Sequence, residues 1–329
     1  MAPSDITDWF SRRLSTARDW PAAELARGKG ATRVSVVLPA RDEEATVGHI
    51  AGVIRRALME EVPLVDELVV IDSNSTDGTA AAAAAAGAEV HRQDDILPEM
   101  PPLWGKGEAL WKSLAVTTGD VVAFTDTDIR NYTPDFVTGL IGPLLADPDL
   151  VYVKGYYDRP LRDGTEVAPC DGGRVTELLA RPLLNMCWPE LAGVLQPLSG
   201  EYAGRRAALE SVPFVCGYGV EFGLLVDLVE RYGLDRIAQV DLGVREHSHQ
   251  TTAELGRMAG QIIDTAWMRL HRRGLVLPDG PPATTLTQFT RSGPLPRPHV
   301  HDVGVTERPP MAEVAASRAR SIPSRQGEA

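Results

Sequence analysis

Between residues 34 and 126 the chain repeats one pattern: a short run rich in β-branched residues, a polar cluster, then a helical stretch. The runs are VSVVLPA (34–40), ELVVID (67–72), EVHRQ (89–93) and DVVAFTD (120–126). Between them lie ATVGHIAGVIRRALME, the alanine run after Gly78, and GKGEALWKSLAVT. Near-continuous apolar runs belong to strands buried on both faces, and helices between them supply the crossovers that parallel strands need. The pattern therefore predicts an α/β fold with a mostly parallel sheet flanked by helices. In such sheets the ligand crevice lies beyond the carboxyl ends of the strands. The clusters PARDEE, DSNSTDGT and TDTDIRN each follow a strand directly, so all three should line one crevice.

After residue 150 the pattern is less regular: strand-like LVYVKGYYDRP, a Gly-Gly turn into the helical RVTELLARPLLNMCW, the loop LQPLSGEYAGRR, a helix around VEFGLLVDLVERYG and the strand IAQVDLGVREHSH. Boundaries are expected at 33, 150 and 280, giving an N-terminal helical segment (1–33), two central parts (34–150 and 151–280) and an extended tail (281–329). In the first segment Ile6, Trp9, Phe10 and Leu14 fall on one helical face, to be packed on the domain or a partner subunit. In the tail LTQF and ERPPM are expected to dock as extended arms, and the last dozen residues to be disordered.

Composition removes several classes. With 33 basic and 45 acidic residues the net charge is −12, which excludes a general nucleic-acid binder while leaving room for a local basic pocket for a small anion. Cys170, Cys187 and Cys216 form no CxxC pair, so neither a disulfide framework nor a cysteine zinc site is expected, and a cytoplasmic location fits. No secretory signal or membrane span is read. No GxGxxG follows the first run and no GxxxxGK[ST] occurs, which disfavours dinucleotide dehydrogenases and P-loop ATPases.

Carboxylates at the end of a buried strand are costly unless their charge is offset. Asp126 and Asp128, in VVAFTDTD, suit a divalent cation carrying a diphosphate, because hard cations take carboxylate oxygens and leave sites for phosphate. The two are read as alternating across the strand end, so that one ligates directly while the other contacts the ribose or an ordered water; Asp128 is assigned the metal and Asp126 the ribose side. In order and spacing SVVLPARDEE, VVIDSNSTDGT and VVAFTDTD resemble the nucleotide-sugar half of a GT-A glycosyltransferase, a Rossmann-like fold. The resemblance places Pro39, Ala40, Arg41 and Glu43 around uracil and ribose, with Ser73 beside them.

The segments LWGKGEALWKSL, GYYDRPL, GGRVTELLARPLLN, QPLSGEYAGRR, GYGVEFGLLVD and LGVREHSH are similar to the retaining synthases that make glucosyl- or mannosyl-3-phosphoglycerate, over residues 34–275. The resemblance implies a nucleotide-sugar-binding part at 34–150 and a smaller α+β acceptor-binding part at 151–280. It further implies UDP-glucose as donor, 3-phosphoglycerate as acceptor, Mg²⁺ or Mn²⁺, and a homodimer. Lys106 would bring its ammonium to the leaving diphosphate, and Arg245 would meet the donor phosphates or the acceptor. Glu221 and Tyr218 would hold sugar hydroxyls, the Leu198 carbonyl would lie near the anomeric carbon, and His247 would complete the metal site with Asp128. Gly173, Arg174 and Thr176 would receive the acceptor at a helix N-terminus. His249 stands where the glucosyl branch of that family carries an asparagine, and would donate to the acceptor phosphate. Alternatives are the mannosyl reaction from GDP-mannose, an inverting transfer to a polyprenyl phosphate or polysaccharide, and a non-catalytic nucleotide-sugar-binding module.

Overall fold

The structure, a computed structural model, describes residues 3–158, 161–163, 166–168, 173–246, 251–276, 283–291 and 296–321. Its main strands are β1 (Leu14–Thr16), β2 (Val34–Ala40), β3 (Glu67–Asp72), β4 (Glu89–Arg92), β5 (Val121–Phe124), β6 (Tyr152–Asp158), β7 (Tyr202–Arg205) and β8 (Ile237–Val244). They form one eight-stranded sheet in the order β1-β8-β6-β7-β5-β2-β3-β4. All neighbours are parallel except β7, which runs antiparallel to both β5 and β6. The helices used below are α1 (Pro3–Arg13), α2 (Val47–Arg55), α3 (Thr79–Ala85), α4 (Lys106–Val116), α5 (Asp135–Ala146), α6 (Val220–Tyr232) and α7 (Thr252–Arg272).

Alternation along the strands divides the interior into two cores. Val37, Val69, Ile71, Val122 and Phe124 face Leu110 and Trp111 of α4 and Phe222 and Leu225 of α6. Val36, Leu38, Val70, Val121 and Ala123 face Ile50 and Ile54 of α2 and Val137 and Leu140 of α5. Successive strand side chains point to opposite faces, so a strand covered on both sides must be apolar at every position, which is the pattern read from the sequence.

The structure differs from the sequence expectation at three places. The stretch LQPLSGEYAGRR is not only loop: its last residues form β7, a strand with Ala203 and Gly204 at its centre and no β-branched residue to signal it. The sheet also crosses the boundary at 150, since β6, β7 and β8 join β5 and β1 in one hydrogen-bonded layer. At the C-terminus a helix, Met311–Ser321, reaches into the stretch expected to be disordered; residues 322–329 lie outside the described residues. The extended arms are present as the strands Thr285–Arg291 and Thr306–Arg308. The N-terminal helix packs on the domain itself, with Trp9 buried and its ring beside Gly193.

Candidate active site

The three polar loops after β2, β3 and β5 meet at the carboxyl edge of the sheet, as expected, and hydrogen bonds hold them there. Ser73 N–H donates to the Ala40 carbonyl at 2.8 Å, Asp42 N–H to Ser75 Oγ at 3.0 Å, and Thr127 Oγ1 to the Pro39 carbonyl at 3.0 Å. Asp42 (φ 55°) and Asn74 (φ 60°) adopt the left-handed conformation that short polar side chains tolerate, which lets both loops turn sharply at the crevice. Asp42 in turn accepts Thr76 N–H at 2.7 Å. Arg41 is exposed on this rim, and Ser73 and Glu43 are half-buried.

Asp126 and Asp128 lie past the end of β5 and converge instead of alternating, because positions i and i+2 of an extended chain share a face. Both accept from Arg245 Nη2, at 2.9 Å and 2.6 Å. Arg245 is buried; its Nη1 donates to Tyr157 Oη at 2.6 Å and to Glu201 Oε2 at 3.3 Å, and Tyr157 Oη donates to Glu201 at 2.6 Å. The sequence reading aimed Arg245 at a phosphate or the acceptor; in the structure both Nη atoms brace internal carboxylates. On the other side Lys106 Nζ donates to Asp126 Oδ1 at 2.5 Å and pairs with Glu221 Oε1 at 2.9 Å.

This arrangement fixes protonation. Burial alone would push the Asp126 carboxyl up, but Lys106 and Arg245 outweigh it and hold Asp126 well below the usual carboxylate range. Burial likewise pulls Lys106 down, and the negative charges of Asp126 and Glu221 more than reverse this, so the ammonium stays charged. Glu201, wholly buried, is pushed up by desolvation despite Arg245.

Glycines let these groups approach. A Cβ on Gly200 would lie 2.2 Å from Asp126 Oδ2 and 2.5 Å from Lys106 Nζ, so the backbone at 200 is the wall against which that ion pair rests. Gly105 (φ 106°) and Gly217 (φ 125°) touch one another, placing Lys106 and the half-exposed Tyr218 on facing turns. Leu198 is half-buried against the core. Gly173 (φ 92°) opens the helical segment after residue 172, with Arg174 exposed and Thr176 buried.

His247 and His249 lie outside the described residues. The chain that leads to them is anchored, because Glu246 N–H donates to Asn131 Oδ1 at 2.9 Å and Arg130 N–H to the Glu246 carbonyl at 3.0 Å, tying the end of β8 to the loop of Asp128. Among the described residues no three His, Cys, Asp or Glu side chains converge as a metal cluster. The carboxylates nevertheless fit a hard divalent cation: burial and the charges of Asp128 and Asp126 push the Glu43 carboxyl up, showing negative charge on this rim that a cation would relieve. Sequence reasoning missed Tyr157, Gly200 and Glu201; a glutamate inside the run SGEYAG was the available signal.

A mostly parallel sheet carrying an acidic pair beyond a central strand, a loop lysine on that pair and a braced third loop defines a nucleotide-sugar transferase site of GT-A type. The chain belongs to glycosyl transferase family 2, whose model matches residues 35–209. It is 50% identical to the glucosyl-3-phosphoglycerate synthase of Mycolicibacterium smegmatis over 304 residues, 92% of this chain and 97% of that one. Among solved structures it resembles the glucosyl-3-phosphoglycerate synthase of Mycobacterium tuberculosis in complex with Mn²⁺, UDP-glucose and phosphoglyceric acid, with a TM-score of 0.78, 47% identity and coverage of 92% and 99% of the two chains. It also resembles the mannosyl-3-phosphoglycerate synthase of Rubrobacter xylanophilus, with a TM-score of 0.86, 38% identity and coverage of 95% and 99%. No helix of the described residues is long and apolar enough to cross a membrane.

Proposed function

We propose that this chain transfers glucose from UDP-glucose to the 2-hydroxyl of 3-phosphoglycerate with retention of configuration. The observation that carries this reading is the convergence of Lys106, Glu221, Asp126, Asp128 and Arg245 on one crevice, in a chain half identical to a synthase of that product. Pro39, Ala40, Arg41, Glu43 and Ser73 frame the uridine, Asp126 faces the ribose, and Tyr218 and Glu221 hold the sugar. Asp128 and His247 hold Mg²⁺ or Mn²⁺, which when bound neutralises the diphosphate. Arg245 adds, after Lys106, to the counter-charge that keeps Asp126 ionised, and meets the donor phosphates or the acceptor.

Retention is taken from the resemblance, and the buried carboxylates bear on the route to it. A double displacement needs a carboxylate nucleophile beneath the anomeric carbon. Glu221 is held by Lys106, and Glu201 by Tyr157 and Arg245, which makes both poor nucleophiles. Same-face attack remains, with the departing diphosphate accepting the proton of the acceptor hydroxyl and Lys106 stabilising its developing charge, while the Leu198 carbonyl lines the anomeric side. The free Cys187 and Cys216 support a cytoplasmic location. A homodimer is inferred from the family resemblance alone, and light scattering tests it: a monomeric mass rejects it.

The acceptor site is assigned to Gly173, Arg174, Thr176 and His249. Arg174→Ala is expected to raise the KM for 3-phosphoglycerate about tenfold or more, the loss of one charged hydrogen-bonding partner, with UDP-glucose affinity by calorimetry unchanged. Lost donor affinity with an unchanged acceptor KM would exchange the two pockets. The mannosyl neighbour favours one second reading, transfer of mannose from GDP-mannose. Nucleotide release by the purified chain, with either donor, with and without 3-phosphoglycerate and in Mg²⁺, Mn²⁺ or chelator, decides between them. No acceptor-dependent release with either donor, or full activity in chelator, overturns the assignment.

A further inference from the structure

Lys154 sits mid-strand in β6 with 1% of its surface exposed, under the crevice but outside the group of residues assigned above. A buried ammonium normally pairs with a carboxylate. Lys106 and Arg245 do so; Lys154 does not among the described residues. Its Nζ donates to the Ser199 carbonyl at 2.7 Å and lies 4.7 Å from the centre of the Tyr202 ring. Burial pulls its pKa down to about 7, with Glu221, Glu201 and Asp126 opposing that fall and Lys106 adding to it.

The carbonyl it holds belongs to a short, tightly bonded stretch of backbone. Ser199 is fully buried, its N–H donates to the Gln196 carbonyl at 3.1 Å, and its Oγ both donates to the Glu201 carbonyl at 3.2 Å and accepts Glu201 N–H at 3.3 Å. From the other side Gly155 N–H donates to the Glu201 carbonyl at 2.9 Å. The next residue is Gly200, whose Cα hydrogen side meets Asp126 and Lys106 so closely that a methyl group has no room. A displacement of the Ser199 carbonyl by a few tenths of an ångström therefore passes straight into the Lys106–Asp126 pair.

We propose that Lys154 is a positioning residue for the transfer step: by donating to the Ser199 carbonyl from beneath, it sets the height of the Leu198–Gly200 backbone and thereby the placement of Lys106 against Asp126. The inference rests on the transferase reading above. It goes beyond that reading by assigning a role to a side chain that touches no substrate. A misplaced charge-stabilising group costs turnover far more than binding, because its contribution grows as charge develops.

The test compares Lys154→Met, which keeps the bulk of the stem and removes the donor, with Lys154→Gln, which keeps an uncharged donor. Expected for Lys154→Met is a kcat at least tenfold lower per folded enzyme, with the KM of each substrate and UDP affinity by calorimetry within about threefold. Hydrogen exchange of the amides at 198–201 should be faster in Lys154→Met than in the wild type, with Lys154→Gln between them in both rate and turnover. Exchange is read without substrate, so it reports on the brace even if the donor or acceptor assignment fails. A kcat within twofold of wild type, or unchanged exchange at 198–201, overturns the proposal. So does turnover that falls only in proportion to the folded fraction. If Lys154→Met does not fold, wild-type exchange and turnover in Lys154→Gln overturn it equally, because the shorter donor stops about one bond short of the carbonyl.

Discussion

Lys106→Ala will lower kcat by about 10²-fold, the usual cost of removing one charge-stabilising donor, while the KM for 3-phosphoglycerate moves by less than threefold. The Lys106 ammonium holds Asp126 at 2.5 Å and Glu221 at 2.9 Å, and its side chain keeps 24% of its surface open to the crevice. Two of its three N–H donors are thus committed to walls of the site, which aims the third outward. Ground-state binding of the donor draws on the whole cradle, whereas charge on the departing diphosphate appears only in the transition state, so the loss falls on kcat. Steady-state kinetics across both substrates check this. An unchanged kcat with a raised acceptor KM would move Lys106 to the acceptor pocket.

The crevice was legible in the sequence because its loops follow strands that must be apolar on both faces, and polar residues directly after such strands have only one edge of the sheet to occupy. Lys106 was legible from its flanking glycines, and Asp126 and Asp128 from the cost of carboxylates at a strand end. Three features were not. The strand Tyr202–Arg205 is built on small residues whose burial between β5 and β6 decides its state, and no local propensity expresses that. The convergence of the aspartates runs against an alternating assignment, because residues two apart on an extended chain share a face, and Arg245 joins them. The sequence places Arg245 near the donor phosphates or the acceptor; that it also braces Asp126, Asp128, Tyr157 and Glu201 is set by contacts 44 to 119 residues apart in sequence.

Arg308→Leu will destabilise the fold by about 3–5 kcal/mol, the cost of breaking a buried ion pair by removing one partner. Arg308 ends the strand Thr306–Arg308, which pairs antiparallel with Phe214–Cys216, and it meets Glu108 of α4 through Nε and Nη2, each at 2.7 Å. Glu108 is fully buried and Arg308 nearly so, and the guanidinium stacks 5.0 Å above the Trp111 ring, whose Nε1 donates to the Pro309 carbonyl at 2.9 Å. The neighbouring Cys216 thiol is pushed up to about 12 by burial and the Glu108 charge, so it stays neutral and offers Glu108 only a weak S–H contact at 3.6 Å. Loss of the guanidinium leaves Glu108 with Lys112 at 3.5 Å, a longer contact whose ammonium already donates to the Gln93 carbonyl. Because α4 begins at Lys106, the same clamp fixes the helix that presents the lysine, and activity should fall with the unfolding midpoint. The decisive comparison is Glu108→Leu combined with Arg308→Leu: removing both charges removes the uncompensated carboxylate, so the double variant should be more stable than Arg308→Leu alone. Urea unfolding of the single and double variants measures both effects. A single-variant loss below about 1 kcal/mol, the range of exposed pairs, would make the clamp a surface contact. A double variant less stable than Arg308→Leu would mean that packing around Trp111, and not the buried charge, holds the C-terminal strand to α4.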